Sequence, residues 1–265
     1  MSASNRQDQE TQNTRPENDK LEAGELTAAS PALRWLDNFW YHNKWTFIIV
    51  VFFVSVGIIC LIQFINRPRY DTSLAYAASY RMNNEERSDF EDLLNRFCPE
   101  DFDKNGEKSV NLVAYQIYSE EEYESESEAY AAETNENGEP NAFYLNKKYN
   151  ADEYNNFNNF TMTGETSVYI LSPYMYGLLV EANRLKPLSE IYTDGKLPAG
   201  ALADGFGVAL SETDFYRYNP AAQVLPDTAI ICLHRPTLAG RGLDEELYGA
   251  DMAFFRSIVD FEVKE

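Results

Sequence analysis

Residues 45–65, WTFIIVVFFVSVGIICLIQFI, form one uninterrupted apolar run in which only Thr46, Ser55 and Gln63 are polar and nothing is charged. A helix rises about 1.5 Å per residue, so a run of this length covers roughly the 30 Å of a bilayer's hydrocarbon. A soluble core helix is seldom so long and so apolar all round, and the run reads as a transmembrane helix. It divides the chain into a tail, a span and a large carboxyl-terminal domain, and every other segment is read relative to it.

Upstream, residues 1–30 are mostly Ser, Asn, Gln, Glu, Thr and Pro without a periodic apolar face, which is the composition of a disordered tail. Between tail and span, residues 31–44 interleave Trp35, Phe39, Trp40 and Tyr41 with Arg34, His42 and Lys44. That mixture suits a juxtamembrane helix or aromatic belt at the headgroup level. Arg34 and Lys44 before the span nearly balance Arg67, Arg69 and Arg81 after it, so the positive-inside rule is almost silent. A noncleaved anchor near the start of a chain, followed by a long domain, is a common plan for export. The expected arrangement is therefore a single-pass cell-membrane protein with a cytoplasmic amino terminus and an extracytoplasmic domain.

Downstream, residues 70–265 are long enough for a single core and read as a compact mixed-sheet α/β domain. Residues 74–78, LAYAA, predict a first strand, and Phe90, Leu93, Leu94 and Phe97 then recur at helical spacing, with Asn84 as the expected cap. Residues 110–118, VNLVAYQIY, read as a second strand. Residues 119–140 hold nine Glu and no Lys or Arg, and are expected to be mobile and solvated. Tyr154, Phe157 and Phe160 mark a weak amphipathic helix. The step at VYILSP is sharper: strand 168–171, Ser172 as helix cap, and Pro173 at the first helical position. Strands are expected at 207–210 and 229–233. A terminal helix carries Leu247, Asp251, Phe254, Phe255 and Ile258 as a stripe with one carboxylate in it.

Few features suggest a chemical centre. Residues 101–112, DFDKNGEKSVNL, place Asp101, Asp103 and Asn105 at alternate positions before Gly106, the spacing of the first half of a calcium loop. Leu112 stands where a bidentate Glu belongs and Lys108 where an apolar anchor is usual, so a standard EF-hand is excluded. Weak calcium binding by Asp101, Asp103 and Asn105 stands beside an Asx-rich turn as the two readings. With only His42 and His234 in the chain, a histidine zinc cluster has no ligands. His234 has no sequence-identifiable nucleophile partner, and no glycine-rich phosphate loop is present. A net charge of −21 argues against a nucleic-acid-binding face. Cys98 and Cys232, outside the span, leave both a disulfide and unpaired burial open.

The ordering of DFDKNGEKSVNLVAYQI, TMTGETSVYILSPYMYGLLVEANRLKPLSEIY and AIICLHRP resembles a group of uncharacterised single-pass membrane proteins of Firmicutes, with Asp101, Asp103, Asn105 and Gly106 as their Asp/Asn-Gly turn. The stretch SVYILSPYMYGLLVEANRLKPLSE is similar to the part of extracytoplasmic solute-binding proteins where a strand and helix lead into a Leu-Pro-Leu turn, here residues 185–188. That similarity implies one α/β lobe and no set of ligand residues. The expected function is a non-catalytic, membrane-anchored binding or assembly module whose partners are the bilayer and another envelope or membrane protein. A solute-binding-like accessory domain of an uptake system is the alternative, and an envelope enzyme a third.

Overall fold

The computed structural model describes residues 31–65, 70–102, 104–132, 138 and 147–263, of which 31–65 belong to one compact unit and the rest to a second. The tail, 1–30, lies outside the described residues.

Among the described residues the first unit contributes one helix, α1 (Pro31–Ile65), so the aromatic and basic segment 31–44 and the apolar run are continuous. Its stretch Phe39–Gln63 is long and apolar enough to cross a membrane, with none of its most apolar window buried within the protein. The one hydroxyl midway along it, Ser55 Oγ, donates to Val51 O at 2.8 Å, which satisfies the hydroxyl within its own helix.

The second unit is built on a five-stranded sheet in the order β2-β1-β3-β5-β4. The strands are β1 (Thr72–Ala78), β2 (Val110–Gln116), β3 (Val168–Leu171), β4 (Gly207–Ala209) and β5 (Ile230–Leu233). β1, β2 and β3 run parallel, and β5 is antiparallel to both β3 and β4. Every residue of β1, β3 and β5 is buried, as expected of strands covered on both faces.

Among the described residues seven α-helices follow α1: α2 (Asn84–Phe97), α3 (Glu120–Ala132), α4 (Lys147–Thr163), α5 (Pro173–Glu181), α6 (Leu188–Ile191), α7 (Asp214–Tyr218) and α8 (Glu245–Val259). The strand period of two sorts the core. Leu74, Tyr76, Val168, Ile170, Ile231 and Leu233 face α2, α7 and α8, whose Phe90, Phe215, Phe254 and Phe255 close that layer. Ala75, Ala77, Tyr169, Leu171, Ile230 and Cys232 face α4 and α5, through Phe157, Met175 and Leu179. Cys98 belongs to the first layer and Cys232 to the second. Both are free, so the sheet separates the two thiols and the unpaired reading holds.

Local chemistry sets the element ends. Ser172 caps α5 by accepting from Met175 N, with Pro173 in the first turn. Ser172→Ala is expected to cost about 1 kcal/mol of domain stability, and Ser172→Gly only a few tenths; urea unfolding followed by circular dichroism checks it. One expectation needs correction. Asn83, not Asn84, caps α2: its side chain accepts from Glu85 N and Glu86 N while Glu86 reaches back to Asn83 N, and that reciprocal box fixes the boundary one residue earlier. The Glu-rich segment is helical over Glu120–Ala132, because Ser119 Oγ accepts from Glu122 N at 3.1 Å and Glu122 Oε2 accepts from Ser119 N at 2.8 Å. Residues 133–137, 139 and 140 of that segment lie outside the described residues.

Candidate functional site

The outgoing connections of neighbouring strands β1 and β3 lead to opposite layers, through α2 and α5 respectively. In open α/β sheets such a reversal opens a crevice at the carboxyl ends of the strands, where ligands bind. Two cavities border this end of the sheet. One of about 480 Å³ is lined by Tyr80, Arg81, Arg87, Tyr115, Tyr149 and Glu153 among others. The second, about 280 Å³, is lined by Tyr118, Tyr123, Lys147, Asn150, Tyr154 and Tyr174.

A hydrogen-bonded frame holds these walls. Ser79 Oγ donates to Glu122 Oε1 at 2.9 Å, which ties the end of β1 to α3. Gln116 Nε2 donates to Ser79 O at 3.1 Å and to the Tyr118 hydroxyl at 2.6 Å. Asn150 acts as a substitute strand residue: its Oδ1 accepts from Tyr118 N at 2.9 Å and its Nδ2 donates to Tyr118 O at 3.0 Å. Tyr76 donates to Tyr80 O at 3.0 Å, and Tyr80 donates to Glu86 Oε2 at 2.9 Å.

The phenols of this frame stay protonated. Burial first, then Tyr80 and Glu122, pushes the Tyr76 phenol up; burial and Glu126 raise that of Tyr118; the hydrogen bond to Glu86 raises that of Tyr80. Burial, with Glu153 and Glu165 nearby, moves the Tyr115 phenol up to about 12. Groups displaced in this direction donate and accept hydrogen bonds at neutral pH without acting as bases.

The residues singled out from the sequence lie elsewhere. Asp101 and Asn105 belong to the loop before β2, at the amino end of the strand, and Asp103 lies outside the described residues. Asp101 accepts from Gly106 N at 2.8 Å and from Asn105 N at 3.2 Å, and Asn105 Oδ1 accepts from Glu107 N at 2.8 Å. Gly106 takes φ +96°. These bonds close an Asx-type turn. Lys108 donates to Cys98 O and Pro99 O at 3.0 and 2.7 Å, which covers carbonyls at the end of α2. Among the described residues no group of three His, Cys, Asp or Glu side chains gathers as a metal would need.

His234 is buried, with Nδ1 2.7 Å from Arg235 O and its ring 5.6 Å from that of Tyr169. Burial lowers its pKa, so it is a neutral residue of the packed layer. Burial also holds the Cys98 thiol up at about 11, which makes it a poor nucleophile. Of the residues that build the strand-end walls, Ser119 and Glu122 carried a readable Ser-x-x-Glu signal. Gln116 reaches Ser79 across 37 residues of chain and Asn150 reaches Tyr118 across 32, through contacts that no local pattern encodes. Comparison with family models, with curated proteins and with solved structures finds no match for this chain.

Proposed function

We propose that the chain is a single-pass membrane protein whose acidic α/β domain works outside the cytoplasm as a non-catalytic binding or assembly module, engaging a partner at the carboxyl ends of β1 and β2. The observation that supports this reading most is the strand-end frame. It presents tyrosines, amides and backbone around a cavity of about 480 Å³, and its ionisable phenols are displaced away from neutrality. The apolar stretch of α1 serves as the anchor. Calcium at Asp101, Asp103 and Asn105 has a place in this reading as a weak ligand of extracellular affinity.

A solute-binding-like accessory role is the second reading. It is favoured by the smaller cavity of about 280 Å³ with its tyrosine, Lys147 and Asn150 lining, near the lower size of small-molecule sites.

Protease treatment of intact, wall-stripped cells carrying a carboxyl-terminally tagged chain tests the placement, with lysed cells as the control that the domain can be cut. Loss of the tag in intact cells is the expected result. Protection until lysis would put the domain in the cytoplasm and remove both readings.

A further inference from the structure

β2 is an edge strand, and its outward main-chain groups are unevenly covered. In its parallel ladder with β1, residues 111, 113, 115 and 117 face β1 and residues 110, 112, 114 and 116 face away, as Ile117 N donating to Ala78 O indicates. At the start of the strand Val110 N donates to Asn95 Oδ1 at 2.8 Å, and Arg87 Nη2 donates to Leu112 O at 2.7 Å. Beyond its end Asn150 takes both main-chain groups of Tyr118. Between these side-chain caps, the outward N–H and C=O groups of Ala114 and Gln116 meet no protein partner among the described residues. Both residues line the 480 Å³ cavity, together with Tyr115.

Edges are usually defended by charge, proline or brevity. Residues 111–118, NLVAYQIY, contain neither charge nor proline. The walls beside the gap are polar and of two kinds. Toward α4 stand Tyr149 and Glu153, and toward α2 stand Arg81, Asn84 and Arg87. Arg87 is already paired with Glu91 at 2.8 Å. Glu153 is in no ion pair among the described residues, and after burial it is the next cause that raises the pKa of the Tyr115 phenol. The domain around the gap is strongly acidic, with 36 Asp and Glu against 17 Lys and Arg in residues 66–265, which disfavours a second copy and favours a basic partner.

We infer that the Ala114–Gln116 edge of β2 accepts an extended segment of a partner protein as an added strand, with a Lys or Arg side chain of that segment directed at Glu153. The inference rests on the binding-module reading and gives its partner a chemistry. Main-chain hydrogen bonds supply affinity in strand addition, and pockets for alternate side chains supply selection.

The test uses the full chain in detergent micelles and a fluorescein-labelled decapeptide of alternating Lys and Val. Hydrogen exchange read by mass spectrometry should show the Ala114 and Gln116 amides exchanging fast in the free chain and slowly with saturating peptide. Ala114→Pro removes one outward N–H that bonds nothing among the described residues, and proline is tolerated at such edge positions. It should keep the circular dichroism spectrum and weaken the peptide at least about tenfold, through a lost hydrogen bond and a blocked path. Glu153→Lys should weaken it severalfold.

Peptide that binds without protecting the two amides, or equally well to Ala114→Pro, is held by general acidity and overturns the inference. So does amide protection already present in the free chain: concentration-dependent protection would mean a second copy, and concentration-independent protection would mean that the same chain already covers the edge. If Ala114→Pro fails to fold, exchange in the unaltered chain still decides. An external domain that binds a partner while these amides stay unprotected would leave the proposed function standing and remove the strand.

Discussion

Replacing Asp251 by alanine is expected to destabilise the domain by about 3–5 kcal/mol, the range for breaking a buried ion pair from one side. Asp251 is fully buried on α8, 0% exposed. Its Oδ1 and Oδ2 accept from Arg241 Nε at 2.9 and 3.1 Å, Oδ1 accepts also from Thr72 Oγ1 at 2.8 Å, and Arg241 Nη2 lies 2.8 Å from Oδ1 in the ion pair. The same guanidinium donates from Nη2 to Asp71 O at 2.7 Å. Removing the carboxylate leaves a largely buried guanidinium and a buried hydroxyl with nothing in its place, at the point where α8 meets the start of β1. Urea unfolding of the full chain in micelles, followed by the near-ultraviolet signal of the domain's tyrosines, measures the loss. Combining Asp251→Leu with Arg241→Met should cost clearly less than Asp251→Ala, since a buried pair can be exchanged for apolar packing. A loss for Asp251→Ala below about 1 kcal/mol would mean that the pair is solvated in solution.

Asp251 also marks the limit of what the sequence discloses. The apolar stripe of α8 and the carboxylate interrupting it are both visible in residues 247–258, because helical periodicity is local. The partner is not visible: Arg241 sits in a short turn ten residues earlier, and Thr72 lies 179 residues away. The same division runs through the fold. Val168–Leu171 with Ser172 and Pro173 states a strand, a cap and a helix within six residues, and the structure has each of them in place. Between Asn83 and Asn84 the decision rests on Glu86, which closes a reciprocal box only with Asn83. In residues 119–140 the density of Glu outweighed a Ser-x-x-Glu signal that starts a helix. The order of the strands, and hence the exposure of β2 as an edge, depends on long-range pairing. That pairing is decided by which faces are buried, and strands 168–171 and 230–233, buried on both faces, carry no alternation from which neighbours could be assigned. The strand-end site inherits this: Gln116, Ser79, Asn150 and Glu122 are ordinary polar residues until the sheet brings them together.

The second large effect is expected from Gly240→Ala, with a loss of about 2–4 kcal/mol from a left-handed backbone and an overpacked contact together. Gly240 has φ +57°, and a Cβ there would stand 2.4 Å from both Gly164 O and Thr163 O. Those obstacles are backbone atoms of the corner between α4 and β3, which cannot swing aside as a flexible side chain could. Gly164 mirrors the arrangement, with φ +66° and a Cβ position 2.4 Å from Ala239 O. The close approach of the two glycines lets Arg241 N donate to Gly164 O at 2.8 Å, and so sets the turn from which the Arg241 side chain reaches Asp251. Gly205→Ala is the matched control, because Gly205 has φ +75° and open space around its Cβ position; it should carry only the backbone part, about 1 kcal/mol. If the glycine contact positions Arg241, the losses in Gly240→Ala and Asp251→Ala are not independent. A domain that has already lost the ion pair has less to lose when the turn moves, so the double variant should fall short of the sum by more than about 0.5 kcal/mol. Additive losses would show that the turn and the ion pair stabilise the domain separately, with Arg241 held in place by β1 and α8 alone.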